Sequence, residues 1–248
     1  MDRPAHLAIV PPASELELGD GPAPGFESLG IRPIEARDRG LVVGVTGSRK
    51  SGLVKRNLLY CRERIAAWDI KCEYGPDAED PVPGARVLEP VTIDEFERRI
   101  RTTVAADTGP LAVAVQAWDR DEKKRAENFH RYTSCLERSR GLAAVIDEVG
   151  LLPAVCDPDL VHIACVSRGW DMPVFFVAQR AMMLIKTARS QVTRIWSHLQ
   201  SDEEDVAALR KRMGPAADAI SSQEIGAFVY WDQLEQFAPT PPKQGSQK

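Results

Sequence analysis

Leu41-Val42-Val43-Gly44-Val45-Thr46-Gly47-Ser48-Arg49-Lys50-Ser51 is the stretch on which the reading of this chain turns. Residues 41–45 form an apolar run of strand length. The segment after Ser51, GLVKRNLLYCRER, repeats apolar side chains at helical intervals and predicts a helix over 52–64. Between them lies a turn rich in Gly and Ser that opens onto Lys-Ser. The backbone N–H groups of such a turn, with the positive end of the helix, cradle a polyphosphate. In the pattern G-x-x-x-x-G-K-[ST], Lys50 reaches the terminal phosphates and the Ser51 hydroxyl holds Mg2+. Gly44, Thr46, Gly47, Ser48, Arg49, Lys50 and Ser51 are therefore the candidate nucleotide-binding residues. Arg49 stands where the pattern asks for its second glycine, and a side chain there costs about 1–2 kcal/mol if φ is positive. A frame begun at Gly47 puts Leu53 and Val54 in the Lys and Ser/Thr places, so the first frame is kept. Taken alone, the stretch also fits a plain Gly/Ser turn with a solvated basic tip.

Working outward, short apolar runs alternate with helical patterns. Strands are expected at 41–45, 67–74, 111–117, 142–146, 174–178, 193–199 and 227–231, and helices at 52–64, 93–105, 121–138, 159–168, 181–189 and 203–213. Several strands are nearly continuous in Val, Ile, Leu and Phe, as in sheets covered on both faces. Alternation of this kind predicts βαβ crossovers, an α/β fold with a largely parallel sheet and helices on both faces. Residues 1–39, with the cluster PPASELELGDGPAPG, read as a flexible or partner-ordered arm. Residues 40–235 read as one domain, and 236–248 as a disordered tail.

Carboxylates and an amide stand at the ends of these strands. Leu142-Ala143-Ala144-Val145-Ile146 runs into Asp147-Glu148, at the strand edge where ligands bind in a parallel sheet. Asp147 is the candidate metal ligand, and Glu148 the residue that orients or deprotonates the attacking water. An ordinary acidic loop start is the alternative for either residue in isolation. Val174–Ala178 ends in Gln179, positioned to contact a terminal phosphate or its water. Residues 67–74 carry Asp69 and Glu73.

The chain has 248 residues, with 32 Lys and Arg against 36 Asp and Glu. A net charge of −4 excludes a uniformly basic nucleic-acid coat, although not a local basic face. No apolar run approaches the roughly 18 residues of a membrane span, and no basic-then-apolar leader is seen at the N-terminus. Five scattered cysteines without a C-x-x-C pair fit reduced thiols in a cytosolic setting. Four histidines without metal-ligand spacing make protein-ligated zinc unexpected.

These segments resemble the HerA/FtsK superfamily of P-loop ATPases that pump DNA. GVTGSRKSGLVKRNLL looks like that family's loop and helix, WDIKCEY its D-x-x-x-E-Y strand, VIDEVG its acidic strand, and SRGWDMPVFFVAQR its arginine-to-glutamine sensor segment. KTARSQVTRIWSHLQSDEEDVAALRKRMG is similar to the strand and aspartate-started helix that usually follow, so the resemblance covers residues 40–231. It implies a RecA-like (ASCE) P-loop NTPase core using ATP and Mg2+. It also implies a homo-oligomeric ring, usually hexameric, acting on double-stranded DNA. Lys50, Glu148, Gln179 and an arginine donated to the adjacent subunit would be catalytic. Arg168 fits the arginine's position best, with Arg180 and Arg189 as alternatives. A motor core with a short arm is most similar to the genome-packaging ATPases of tailless internal-membrane (tectivirus-type) viruses. That resemblance implies a place in the host cytoplasm or on the virion, with capsid vertex proteins as further partners. Filamentous-phage assembly ATPases are a neighbouring resemblance, but usually carry a membrane span. A nucleotide-binding ring subunit without turnover stays open because of Arg49. A P-loop kinase lacks support from any lid-like arginine cluster.

Overall fold

The apolar runs assemble into one sheet because each is too apolar to leave either face in water. In the computed structural model, which describes residues 8–10, 31–78, 85–104, 109–116 and 118–233, that sheet has nine strands. They are β1 (Ala8–Val10), β2 (Arg39–Val43), β3 (Arg64–Trp68), β4 (Glu89–Val91), β5 (Leu111–Val115), β6 (Leu142–Ile146), β7 (Val174–Ala178), β8 (Arg194–Ser197) and β9 (Phe228–Asp232). The spatial order is β1-β9-β8-β2-β7-β6-β3-β5-β4. Pairing is parallel from β8 through to β4, and β9 and β1 close the other edge antiparallel. The tail expected over 236–248 lies outside the described residues, as does most of the expected arm.

Side chains alternate between two cores, as the two-residue period of a strand requires. Leu41, Val43, Val174, Phe176 and Ile146 join one layer with α2 (Ile93–Arg99), α3 (Glu122–Glu137), α4 (Asp157–Val166), α5 (Lys186–Ser190) and α6 (Glu203–Met213). Val42, Phe175, Val177 and Val145 face the other way, onto α1 (Lys50–Arg56), Leu58, Leu59 and Ile31. Full burial of one such side chain contributes about 1.5–3 kcal/mol, so neither layer can be spared. Within the expected arm, residues 31–38 fold onto the sheet. Arg32 bridges Asp38 at 2.6 Å and Asp232 at 2.7 Å, and the fully buried Arg194 reaches the same two carboxylates at 3.0 and 3.2 Å.

Two boundaries differ from expectation in a way that matters for function. The helix expected over 52–64 stops at Arg56, and β3 begins at Arg64 rather than near residue 67. The cause lies in the pairing: β3 is hydrogen-bonded on both sides, to β5 and to β6, and its partners run out at Trp68. Asp69 then turns its carboxylate onto the N–H groups of Glu73 (2.9 Å) and Tyr74 (3.0 Å), so residues 69–74 form a turn instead of continuing the strand. Arg62 and Arg64 therefore do not lie on the helix behind the loop. The short strands β1 and β4 carry no pattern that predicted them. The helix expected over 181–189 shrinks to α5, preceded by a single tight turn at Ala181–Met183.

Candidate active site

β2 delivers the chain into the loop at Gly44, where close packing decides the residue. A Cβ on Gly44 would lie 2.5 Å from Ser48 Oγ and 2.6 Å from His198 Cβ, so only glycine fits without a shift. Gly47 takes φ +80°, which glycine adopts freely. Arg49 takes φ +67° and ψ +26°, the left-handed conformation for which the missing glycine is suited. Its side chain is exposed and forms no ion pair among the described residues. α1 begins at Lys50. The Lys50 ammonium folds back onto its own loop, donating to the Gly44 carbonyl at 2.6 Å and the Val45 carbonyl at 3.2 Å. Burial lowers its pKa, while the Glu148 and Asp147 charges work against that shift. Ser51 follows, half-buried, and Thr46 and Gly47 form the exposed tip.

Opposite the loop, β6 ends at Asp147 and Glu148. Asp147 is buried, donates its N–H to the Trp68 carbonyl at 3.1 Å and accepts from Glu148 N–H at 2.9 Å. Burial, reinforced by the negative charges of Glu73, Glu148 and Asp69, pushes its carboxyl up to about 7. Glu148 also lies in the left-handed region, at φ +50°. Strained backbone of this kind costs about 1–3 kcal/mol and clusters at functional sites. The Glu148 carboxylate pairs with the Lys71 ammonium, and Gln179 Nε2, from the end of β7, lies 3.3 Å from Oε2. Gln200 Nε2 in turn donates to the Gln179 carbonyl at 3.2 Å. Burial of Lys71 acts to lower its pKa, but the Glu148 contact outweighs it and the net shift is upward.

The donor set suits Mg2+ and a polyphosphate. The Ser48 hydroxyl is buried and finds no hydrogen-bond partner among the described residues, a state that costs about 1–3 kcal/mol unless something else satisfies it. Among the described residues no three His, Cys, Asp or Glu side chains form a metal cage. Ser51 and Asp147 would therefore hold the ion jointly with phosphate oxygens, the usual arrangement for Mg2+.

Of the expected residues, Gly44 to Ser51, Asp147, Glu148 and Gln179 come together at the C-terminal ends of the adjacent strands β2, β7 and β6. Arg168 does not join them. It sits exposed in the turn Ser167–Trp170 that leads into β7, whose first residue pairs with the first residue of β2. A five-residue strand, about 17 Å, separates that edge from the loop. Arg180 is at the right edge but is held by Asp202 (2.9 Å) and Asp205 (2.7 Å). Arg189 donates to the Ala181 carbonyl at 2.7 Å. Asp69, expected on a strand over 67–74, is fully buried and spent on its own turn. Sequence reading missed Lys71, Gln200 and His198. Lys71 was legible only as part of WDIKCEY, because a strand over 67–74 would have carried it away from Glu148.

A scan of protein-family models gives no match, and a search of curated proteins gives none either. Solved structures do match. The genome packaging NTPase B204 from Sulfolobus turreted icosahedral virus 2, in complex with AMP, is 15% identical. The match covers 82% of this chain and 96% of that one, with a TM-score of 0.56. Its complex with AMPPCP matches at 0.57, again at 15% identity, covering 81% and 95%. The chain has the P-loop NTPase fold. Within that P-loop NTPase fold, the loop after β2 and the acidic end of β6 occupy the sheet edge where this architecture binds ligands. Among the described residues, no helix is long and apolar enough to cross a membrane.

Proposed function

We propose that the chain is an ATPase that hydrolyses ATP with Mg2+ and couples this to moving double-stranded DNA, in the manner of a viral genome-packaging motor. The observation that carries the reading is the meeting of Lys50, Asp147, Glu148 and Gln179 at one sheet edge, around a loop with an unsatisfied buried hydroxyl. Lys50 would leave its loop carbonyls for the β- and γ-phosphates. Ser51 and Asp147 would hold Mg2+, which when bound neutralises phosphate charge. Glu148 would take a proton from water as the water oxygen bonds to the γ-phosphorus. The bond from that phosphorus to the β–γ bridging oxygen breaks, giving ADP and inorganic phosphate. Gln179, already beside Glu148, would orient the water or the γ-phosphate.

Arg168 lies on the opposite edge from Lys50, so its proposed role is on the nucleotide of a neighbouring copy in a head-to-tail ring, most simply a hexamer. The exposed Arg49 is proposed to meet an acid of a neighbouring copy as well, Glu73 rather than the fully buried Asp69. The fold shared with B204, a genome packaging NTPase solved with AMP and AMPPCP, supports the packaging reading. A place in the host cytoplasm or on the virion, capsid vertex proteins as partners and a tectivirus-type virus as the setting belong to the same proposal. Phosphate release measured with and without double-stranded DNA tests the proposal. Turnover stimulated by DNA and abolished by Glu148→Gln is expected; turnover unchanged in that variant refutes the mechanism. A second reading, a ring subunit that binds nucleotide without turnover, is favoured only by the strained Arg49. It predicts binding of a fluorescent ATP analogue with no phosphate release.

A further inference from the structure

We propose that Lys71 is a γ-phosphate ligand that is parked on Glu148 until nucleotide arrives, so that binding of the terminal phosphate frees the carboxylate to act on water. This rests on the ATPase reading above. Lys71 stands on the turn after β3, and that turn is fixed at its base by the two N–H groups that Asp69 accepts. Its backbone is therefore held while its long side chain remains about one-third exposed. The side chain ends in an ion pair with a carboxylate that is itself only 9% exposed. The Glu148 oxygen that the Lys71 ammonium occupies is closed to an attacking water for as long as the pair lasts. Glu148, as the structure holds it, is locked.

What would unlock it is a stronger anion within reach. Lys71 ends on Glu148, and Glu148 lies beside Gln179 at the end of β7, the strand that pairs with β2 and so adjoins the loop that carries Lys50. Lys50 is occupied by two carbonyls of its own loop. A terminal phosphate brought between them carries more negative charge than one carboxylate and offers three acceptor oxygens. An ammonium on a flexible four-carbon stem follows the larger charge. Gln179 would still hold Glu148 when Lys71 leaves, so the base keeps its orientation as it loses its counter-ion. Only a nucleotide with a γ-phosphate reaches this switch, and ADP does not.

The test compares fluorescent ATP and ADP analogues on wild type, Lys71→Met, Lys71→Arg, Glu148→Gln and the double variant Lys71→Met/Glu148→Gln. The expected result is that Lys71→Met weakens ATP binding about tenfold, leaves ADP within twofold, and is largely rescued by Lys71→Arg. Glu148→Gln should tighten ATP binding by releasing Lys71 in advance, and the double variant should lose that gain. Equal losses for ATP and ADP, or an unchanged ATP-to-ADP ratio in Lys71→Met, overturn the assignment while leaving the ATPase reading intact. If wild type binds neither nucleotide, the ATPase reading itself falls and takes this one with it.

Discussion

Replacing Arg49 by Gly tests whether the one departure from the phosphate-loop pattern is carried as backbone strain. At φ +67° an L-residue pays about 1–2 kcal/mol that glycine does not. Glycine gives back about 0.5–1 kcal/mol through the greater freedom of its unfolded chain. The net expectation is a gain of about 0.5–1 kcal/mol. Arg49→Ala is the control: it removes the same exposed guanidinium but keeps a Cβ in the left-handed region, so it should gain nothing. The difference between the two variants therefore isolates the backbone. In urea titrations Arg49→Gly should be the more stable by the stated amount, which in a chain of this size raises Tm by about 2–4 °C per kcal/mol. If Arg49→Gly is no more stable than Arg49→Ala, the loop relaxes around Arg49 and the strain argument is wrong. The same variant reports on chemistry. ATP affinity should hold or improve while association between copies weakens. A tenfold loss of affinity, about 1.4 kcal/mol, would instead make Arg49 a phosphate ligand.

Gly44→Ala drives a methyl group into Ser48 Oγ and His198 Cβ. It should cost about 1–3 kcal/mol by overpacking and abolish nucleotide binding, read by calorimetric titration. His198 donates from Nδ1 to the Ala227 carbonyl at 2.9 Å, and burial lowers its pKa to about 4. The unfolded chain thus binds the extra proton between pH 6.5 and 4. The histidine's contribution is complete above pH 6.5 and is lost as pH falls to 4, by about 3 kcal/mol. Asp147, raised to about 7, acts in the opposite sense, so the signal is the difference in unfolding free energy between wild type and His198→Gln across that range. Arg194→Met removes an arginine that, together with Arg32, bridges Asp38 and Asp232. The loss should be about 3 kcal/mol, the low end for breaking a buried charge network, and is measured by urea unfolding.

How far the site could be read in advance depended on how local its signals are. Val174–Ala178 and Leu142–Ile146 were legible to the residue because a strand buried on both faces must be apolar throughout. The polar groups that follow them, Gln179 and Asp147-Glu148, were therefore placed at the correct sheet edge. β4 was not legible. It is a three-residue edge strand with Pro90 at its centre, and proline cannot donate to a ladder. The turn at 69–74 was missed for a related reason. Asp69 could equally have stood in a strand, and only the end of pairing at Trp68 turns its carboxylate onto the following N–H groups.

By itself, then, the sequence determined the class of fold, the position of the loop between β2 and α1, and the acids at the strand end. Each follows from residue type and spacing over a few positions. The tertiary structure decided the strand order, the left-handed turns at Arg49 and Glu148, the pairing of Lys71 with Glu148 across 77 residues, and the placing of Arg168 at the far edge. These depend on which strands lie side by side. That choice is made by long-range pairing and by burial on two faces of one sheet, and no local pattern of residues carries it.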